Sequence, residues 1–476
     1  MFSMKIENIE INKTIEKARS QLIADKTISP SLRSTFELLI LLLTILVKRM
    51  RINSKNSSKP PSQDPNRTRR IRKDKGTKRK PGAQPGHDGS TLEKIDNPDE
   101  IEEILIDRRT IPAGEYNQIG FETRQVFDIK VTAKVTEYRA EILEDINGNQ
   151  FVAKFPEEAI TAAQYGNEVK SQSVYMSQFQ LIPLARVTDY FKDQINLPLS
   201  KGSVSNFNMD AYNRLEYFEA WAKKQLLNAP FNHADETGIN ISGKRHWLHT
   251  LSNSFITQYH ADEKRGKQGM DRMGVLPSYK GILCHDHWSP YYQYACVHAL
   301  CNAHHLRELT FAWEEDNQQW AKKLHDLLIK MNDAIKKSDS GILPENEAAK
   351  YEKKYQSILE AGKIECPLAV KKTATRGRQK QSKSRNLLDR LINYQDDTLR
   401  FIKEDVVSFT NNQGENDLRM TKVQQKISGC FRSMMGAKIF CRIRGYLVTC
   451  RKNGVSPTDA LRLLFNGKLP DFVNSE

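Results

Sequence analysis

The sequence predicts an α/β protein. It reads as a ribonuclease H-like catalytic domain carrying an α-helical insertion, preceded by an N-terminal helical, coiled-coil segment and a small β domain. Three observations carry this. Residues 231–262 alternate in three short runs separated by turn residues. Residues 281–286 are a short apolar run ending on a carboxylate. Residues 306–405 then change to helical spacing. With 476 residues and 38% apolar composition, the chain has ample material for a core. Its most apolar run, residues 36–47, contains Glu37 and falls short of the ~18 uninterrupted residues of a membrane span, so no membrane partner is expected. The start, MFSMKIENIEINK, carries acids and lacks the apolar block of a signal peptide. None of the seven cysteines precedes Cys284, which argues against a disulfide framework and for a reducing compartment. The expected location is cytoplasmic, associated with the nucleoid.

In order along the chain, residues 1–28 read as a weakly amphipathic helix marked by Ile6, Ile9, Ile15 and Leu22. Ser29-Pro30 then matches a cap followed by proline at the first helical position. Leu32, Phe36, Leu39, Leu43, Leu46 and Met50 follow at spacings of 4, 3, 4, 3 and 4, the seam of a coiled coil, although an ordinary buried helix also fits. These helices make up segment 1–52. Segment 53–98 is Pro/Gly-rich and lacks hydrophobic period, as a linker does. Segment 99–160 alternates through Val126, Ile129, Val131 and Val135, then Tyr138, Ala140 and Ile142, with Asn147-Gly148 as a hairpin turn. Segment 161–230 is helical, broken at Pro183 and Pro198, and reads as a DNA-binding or connecting region. Segment 231–305 holds the meander, turning at Ser242-Gly243 and Ser252-Asn253, and the strand that ends at Asp286. Segment 306–405 is the helical insertion, and 406–476 carries further basic helices.

Charge narrows the partner. Lys plus Arg number 73 against 58 Asp plus Glu, a net of +15. Residues 51–80 hold 12 basic residues and two acids, so two thirds of the excess lies in thirty residues. Such a block binds a polyanion, and double-stranded DNA is the expected one. Arg67, Arg69, Arg70, Arg72, Lys73, Lys78, Arg79 and Lys80 are its candidate phosphate contacts. Residues 418–452 add nine basic residues and no acid, with Arg419, Lys422, Lys426 and Arg432 as further candidates.

Three carboxylates stand out. Asp235 lies in HADETG, where a strand interior is poor ground for an acid; a solvated acid on an edge strand is the plain alternative. Asp286 ends a short apolar strand, where ligands and catalytic groups gather, and equally suits a helix cap. Glu415 opens a long cationic stretch, but Asn412 to Glu415 also matches a capping box, and Glu404 and Asp405 are rival acids. An antiparallel meander, a helix and a parallel strand ending on an acid is the strand order of the ribonuclease H-like fold. That fold sets one Asp on the first strand, one after the fourth, and a third acid on a later helix. Such hard oxygens suit two Mg²⁺ ions, with Mn²⁺ able to substitute. A second constellation is imidazole and sulfur: nine of 11 histidines fall between positions 233 and 305, and the spacing of His298, Cys301 and His304 allows a zinc site, although no second cysteine pair completes it and core packing with hydrogen bonding is the plainer reading.

KNSSKPPSQD, KPGAQPGHDG, HADETG, CNAHHLREL and NNQGENDLRMTKVQQKISGCFRS occur in this order, and the chain resembles the insertion sequence 66 family of DDE-type transposases. The resemblance implies Asp235, Asp286 and Glu415 at the catalytic positions, flanked at the third by Asn411, Asn412 and Arg419. It also implies Cys301 and His304 in a Cys-x₂-His at the start of the insertion. The implied activity is DNA cleavage at terminal inverted repeats and strand transfer to a target. The implied partners are element ends and target DNA and accessory proteins of the element, while the coiled-coil seam offers assembly with a second copy of the chain. A catalytically inactive DNA-binding relative and a zinc-dependent hydrolase using His298, Cys301 and His304 are the alternatives. One departure is plain: residues 108–140 contain no cysteine where the family carries a zinc-binding cluster.

Overall fold

The computed structural model describes residues 5–6, 9–25, 27–53, 56–57, 64, 92–369 and 379–474. The basic block 67–80 expected to bind DNA lies outside the described residues.

A short ribbon, β1 (Lys5–Ile6) with β2 (Ile9–Glu10), precedes α1 (Ile11–Ala24) and α2 (Pro30–Arg51). α2 starts where its signals place it. The Ser29 side chain accepts the Leu32 N–H, and Pro30 occupies the first helical position, where a missing N–H costs nothing. The seam residues Leu32, Phe36, Leu39, Leu43, Leu46 and Met50 are about half exposed, as are Leu38, Leu41 and Leu42. The window Pro30–Val47 has a mean hydropathy of 1.7 with 6% of it buried, so by length and composition this helix is long and apolar enough to cross a membrane. The window holds no uninterrupted apolar run of that length, because Arg33, Glu37 and the hydroxyl residues Ser31, Ser34, Thr35 and Thr44 interrupt it.

The small β domain is reduced to one hairpin. β3 (Ile142–Glu144) pairs with β4 (Gln150–Val152) around Gly148, whose φ of 81° suits the turn. The strands expected over 126–140 do not form. Val126, Ile129 and Val135 stand almost fully exposed, and alternation without an opposing apolar surface does not hold strands together.

From residue 167 the chain packs densely. α3 (Asn167–Val174) runs into one π-helical turn; α4 (Leu184–Ile195), α5 (Lys201–Arg214) and α6 (Glu216–Asn228) follow, broken at Pro183 and Pro198 as expected. β5 (Phe231–Ile241), β6 (Lys244–Ser252) and β7 (Thr257–Asp262) form the antiparallel meander. Its first turn puts Ser242 and Gly243 at φ 48° and 80°, the two positive values of a hairpin turn matched to strand twist. After α7 (Lys267–Arg272), β8 (Ile282–His285) returns parallel to β5, and β9 (Val297–Leu300) adds parallel to β8. The five-stranded order is β7-β6-β5-β8-β9, so β5 is central. β9 lies outside the strands that the sequence pattern predicts.

The sheet is covered on both faces. Ala234, Leu251 and Leu283 face a core built with α3, α5, α6, α14 (Met434–Lys452) and α15 (Pro457–Phe465). Cys284 and Ala299 face the helical insertion: α8 (Asn302–Asp316), α9 (Gln319–Lys337), α10 (Glu345–Glu365), α11 (Lys383–Asn393) and α12 (Gln395–Leu399). Trp320, Leu324, Leu327 and Met331 of α9 are buried there, the face their spacing marks. α13 (Asn412–Ser428) lies against β5.

Buried histidines tie the fold to pH. Burial holds His233, His285 and His305 below the ordinary imidazole range and lowers His249 to about 4, although its Nε2–H donates to the Lys264 carbonyl. Unfolded imidazoles bind protons near pH 6.5, so between about 6.5 and 4 the unfolded chain holds more protons and stability falls as pH falls. A denaturation midpoint clearly lower at pH 5 than at pH 7 is expected, with His249 alone contributing on the order of 2 kcal/mol. The raised Asp235 and Glu236 carboxyls act in the opposite direction, so the decisive protein is one with both as amides: equal midpoints at the two values there would contradict neutral burial.

Candidate active site

The site forms where β5, β8 and α13 converge. Parallel pairing sets His233 opposite Cys284; carried two residues further, this register puts Asp235 beside Asp286 at the carboxyl end of β8. Parallel neighbours in register point to one face. That face is the one against which α13 and α8 pack. β5 is a central strand, so the edge-strand alternative for Asp235 does not hold. Asp286 accepts the Trp288 N–H at 3.0 Å, so it also closes the turn out of β8. That turn passes through His287 at φ 71°, a costly conformation for a residue with a side chain. The His287 ring is held by the Tyr292 hydroxyl at 2.6 Å.

α13 is clamped to β5 at its first residues. Asn411 precedes the helix, and its side chain turns onto the strand. Its Oδ1 accepts His233 Nδ1–H at 2.7 Å, and its Nδ2 donates to the Ala234 carbonyl at 2.8 Å. The next turn carries Gly414, where a Cβ would lie 3.3 Å from that of Asp235 and 3.1 Å from the Asn411 amide oxygen. Only glycine lets the helix sit this close without displacement. Glu415 therefore enters the site beside Asp235. The Asn412–Glu415 capping box does not form: the helix starts at Asn412 with Asn411 in the cap position, and among the described residues Glu415 Oε1 is buried without a hydrogen-bond partner. The Asn411 N–H goes instead to Cys301 Sγ at 3.1 Å. Further along, Lys422 Nζ and Gln425 Nε2 both donate to the Gly238 carbonyl. The chain after α13 then bridges back to β5 through Phe431 and Ile241.

The electrostatics mark a concentration of negative charge. Burial, then the charges of Glu236 and Asp286, hold the Asp235 carboxyl well above the usual carboxylate range. Glu415 adds to the rise, and the Glu236 N–H donating to Asp235 opposes it. Glu236 points to the other face. Burial and Asp286 raise it, while the Tyr291 hydroxyl at 2.6 Å and Arg265 at 2.8 Å hold it in place. Arg265 lies between the indoles of Trp247 and Trp288, 4.8 and 4.2 Å from their centres. Sequence reading misses this clamp, because its members lie in four separate segments.

The rival acids stand elsewhere. Glu404 faces Arg400, and Asp405 accepts the N–H of Val406. Of the zinc candidates, Cys301 and His304 come together with Glu415, whereas the His298 ring faces His285 at 3.1 Å. Among the basic candidates, Arg419, Lys426 and Arg432 are exposed, and Lys422 is engaged with Gly238. Of the other cations of this region, Lys438 and Arg451 are exposed and three turn inward. Arg442 pairs with Glu219, Arg444 donates to the Gln178 and Phe179 carbonyls, and Lys452 pairs with Asp417. A basic sequence run thus overstates the basic surface.

The domain is mixed α/β, and three acids converge from the central strand, from the residue just past its parallel neighbour and from the facing helix. Comparison with family models makes this specific: residues 162–439 match the transposase IS66 family, and residues 4–93 match a family of unknown function (DUF6444). The first match spans more than half of the chain, and the protein belongs to the transposase IS66 family. The hairpin region falls between the two matches. No curated protein matches the chain.

Proposed function

We propose that this transposase cuts DNA at the terminal inverted repeats of an insertion sequence and joins the freed 3′ ends to target DNA. In this reading the domain is ribonuclease H-like, and Asp235, Asp286 and Glu415 hold two Mg²⁺ ions, for which Mn²⁺ can substitute. The observation that carries the reading is the Asp235 carboxyl, held well above its ordinary range by burial and then by the charges of Glu236, Asp286 and Glu415, beside a Glu415 oxygen that has no hydrogen-bond partner among the described residues. All-oxygen donors with surplus negative charge fit a hard divalent cation. Bound there, such ions would supply Lewis-acid stabilisation of the attacking and leaving oxygens.

The protein's own groups do the rest. Asn411 and Gly414 hold α13 against β5, so that Glu415 stays beside Asp235. Arg265 and Tyr291 hold Glu236 away from it. In the first step water attacks a phosphodiester, and the broken P–O bond leaves a 3′-OH. In the second that hydroxyl attacks a target phosphodiester, one P–O bond forming as another breaks. Arg419, Lys426 and Arg432 offer phosphate contacts beside the site. The exposed apolar seam of α2 supports assembly through a second copy.

The test is nicking of supercoiled DNA carrying the element ends. Cutting is expected in Mg²⁺ or Mn²⁺ and none after chelation. Binding to the ends without cutting in either ion would instead identify an inactive DNA-binding relative.

A further inference from the structure

We infer that Cys301, His304 and Glu415 form a second cation site, selective for a thiophilic divalent ion such as zinc, and that an ion bound there withdraws Glu415 and inhibits cleavage. The inhibition clause rests on the proposed role of Glu415; the binding clause does not. The Sγ of Cys301, a ring nitrogen of His304 and a carboxylate oxygen of Glu415 all lie within 4.8 Å of one another. Cys301 immediately precedes α8, and His304 follows three residues later, the spacing that stacks two side chains on one helix face. Glu415 approaches from the first turn of α13.

Two further observations point to a ligand. Among the described residues, His304 Nδ1 and Glu415 Oε1 are both buried and both lack a hydrogen-bond partner. They face each other at 4.0 Å, beyond hydrogen-bond reach. Leaving two such atoms unpaired is costly, and a cation between them would satisfy both. Thiolate, imidazole and one carboxylate suit zinc and exclude Mg²⁺, which takes oxygen ligands. Three protein ligands leave a fourth position for water. Zinc bonds of about 2.0–2.3 Å require the three atoms to draw closer. Glu415, with its side chain 34% exposed, is the ligand with room to move. Binding displaces the thiol proton to solvent.

The probe is Co²⁺ added to the full-length protein in excess Mg²⁺. The expected result is one Co²⁺ per chain with a thiolate-to-cobalt charge-transfer band, displaced by one equivalent of Zn²⁺. Cys301→Ser should lose that band. His304→Ala and Glu415→Gln should each weaken Co²⁺ binding at least tenfold, and Asp286→Asn should leave it unchanged. Absence of the band from the wild-type protein, its survival in Cys301→Ser, or its loss in Asp286→Asn would overturn the site. Should Cys301→Ser not fold, unaltered Co²⁺ affinity in His304→Ala would overturn it equally. In the nicking assay, Zn²⁺ should inhibit the wild-type protein and inhibit His304→Ala at least tenfold less. Binding without inhibition of an active enzyme would overturn the inhibitory role. A protein that shows the cobalt band but never nicks would count against the proposed cleavage alone.

Discussion

Asp286→Asn is expected to lower Mg²⁺-dependent nicking by about 10³-fold or more while binding to element ends is retained. The substitution keeps size and the capping contact with the Trp288 N–H, since an amide oxygen can accept it. It removes one of the charges that surround Asp235. A ligand worth several kcal/mol of transition-state stabilisation corresponds to three or more powers of ten in rate. Asp235→Asn should behave alike. Measured side by side, cutting rate and end affinity separate the proposed role from a folding defect. A variant that cuts within tenfold of wild type would remove Asp286 from the site.

Asp417→Ala is expected to destabilise the α/β domain by about 3 kcal/mol. Asp417 lies two residues beyond Glu415 on α13, and its side chain is 8% exposed against 14% for Lys452. Its Oδ2 meets Lys452 Nζ, the Thr257 hydroxyl and Gln413 Nε2. Truncation leaves the ammonium enclosed with only carbonyl and hydroxyl partners at Asn253, Ile256 and Thr257. Burial already pulls Lys452 below its ordinary range with the carboxylate present. Adding Lys452→Met should restore part of the loss, because removing both charges leaves none uncompensated. Urea denaturation of the two variants measures this. A single variant within 1 kcal/mol of wild type would mean that the pair is solvated.

How far the sequence foretells these features depends on whether the signal is local. The meander, β8 and the helical insertion follow from periodicity and turn residues. Asp235 is an acid inside a strand that disfavours it and Asp286 an acid just past a short apolar strand, and local pattern leaves a plain structural role open for each. Glu415 cannot be told from Glu404 or Asp405 by local pattern. What separates them is Gly414 lying against Asp235 and the Asn411 side chain reaching the Ala234 carbonyl, contacts between residues about 180 positions apart. β9 escapes because four residues, two of them buried, carry too little pattern. The predicted strands over 126–140 fail for the opposite reason: the alternation is present, but nothing packs on it. His298 fits a zinc spacing with Cys301 but sits at the far side of β9, where its ring meets His285.

The most direct test of the three-acid site is cleavage of the protein's own backbone by Fe²⁺ substituted for Mg²⁺, with ascorbate and peroxide generating radicals at the bound metal. Cuts are expected near positions 235, 286 and 415, and all three should fade together as Mg²⁺ is added. Cuts confined to one segment, or a Mg²⁺-sensitive cut near 404–405 in place of 415, would contradict a shared metal site.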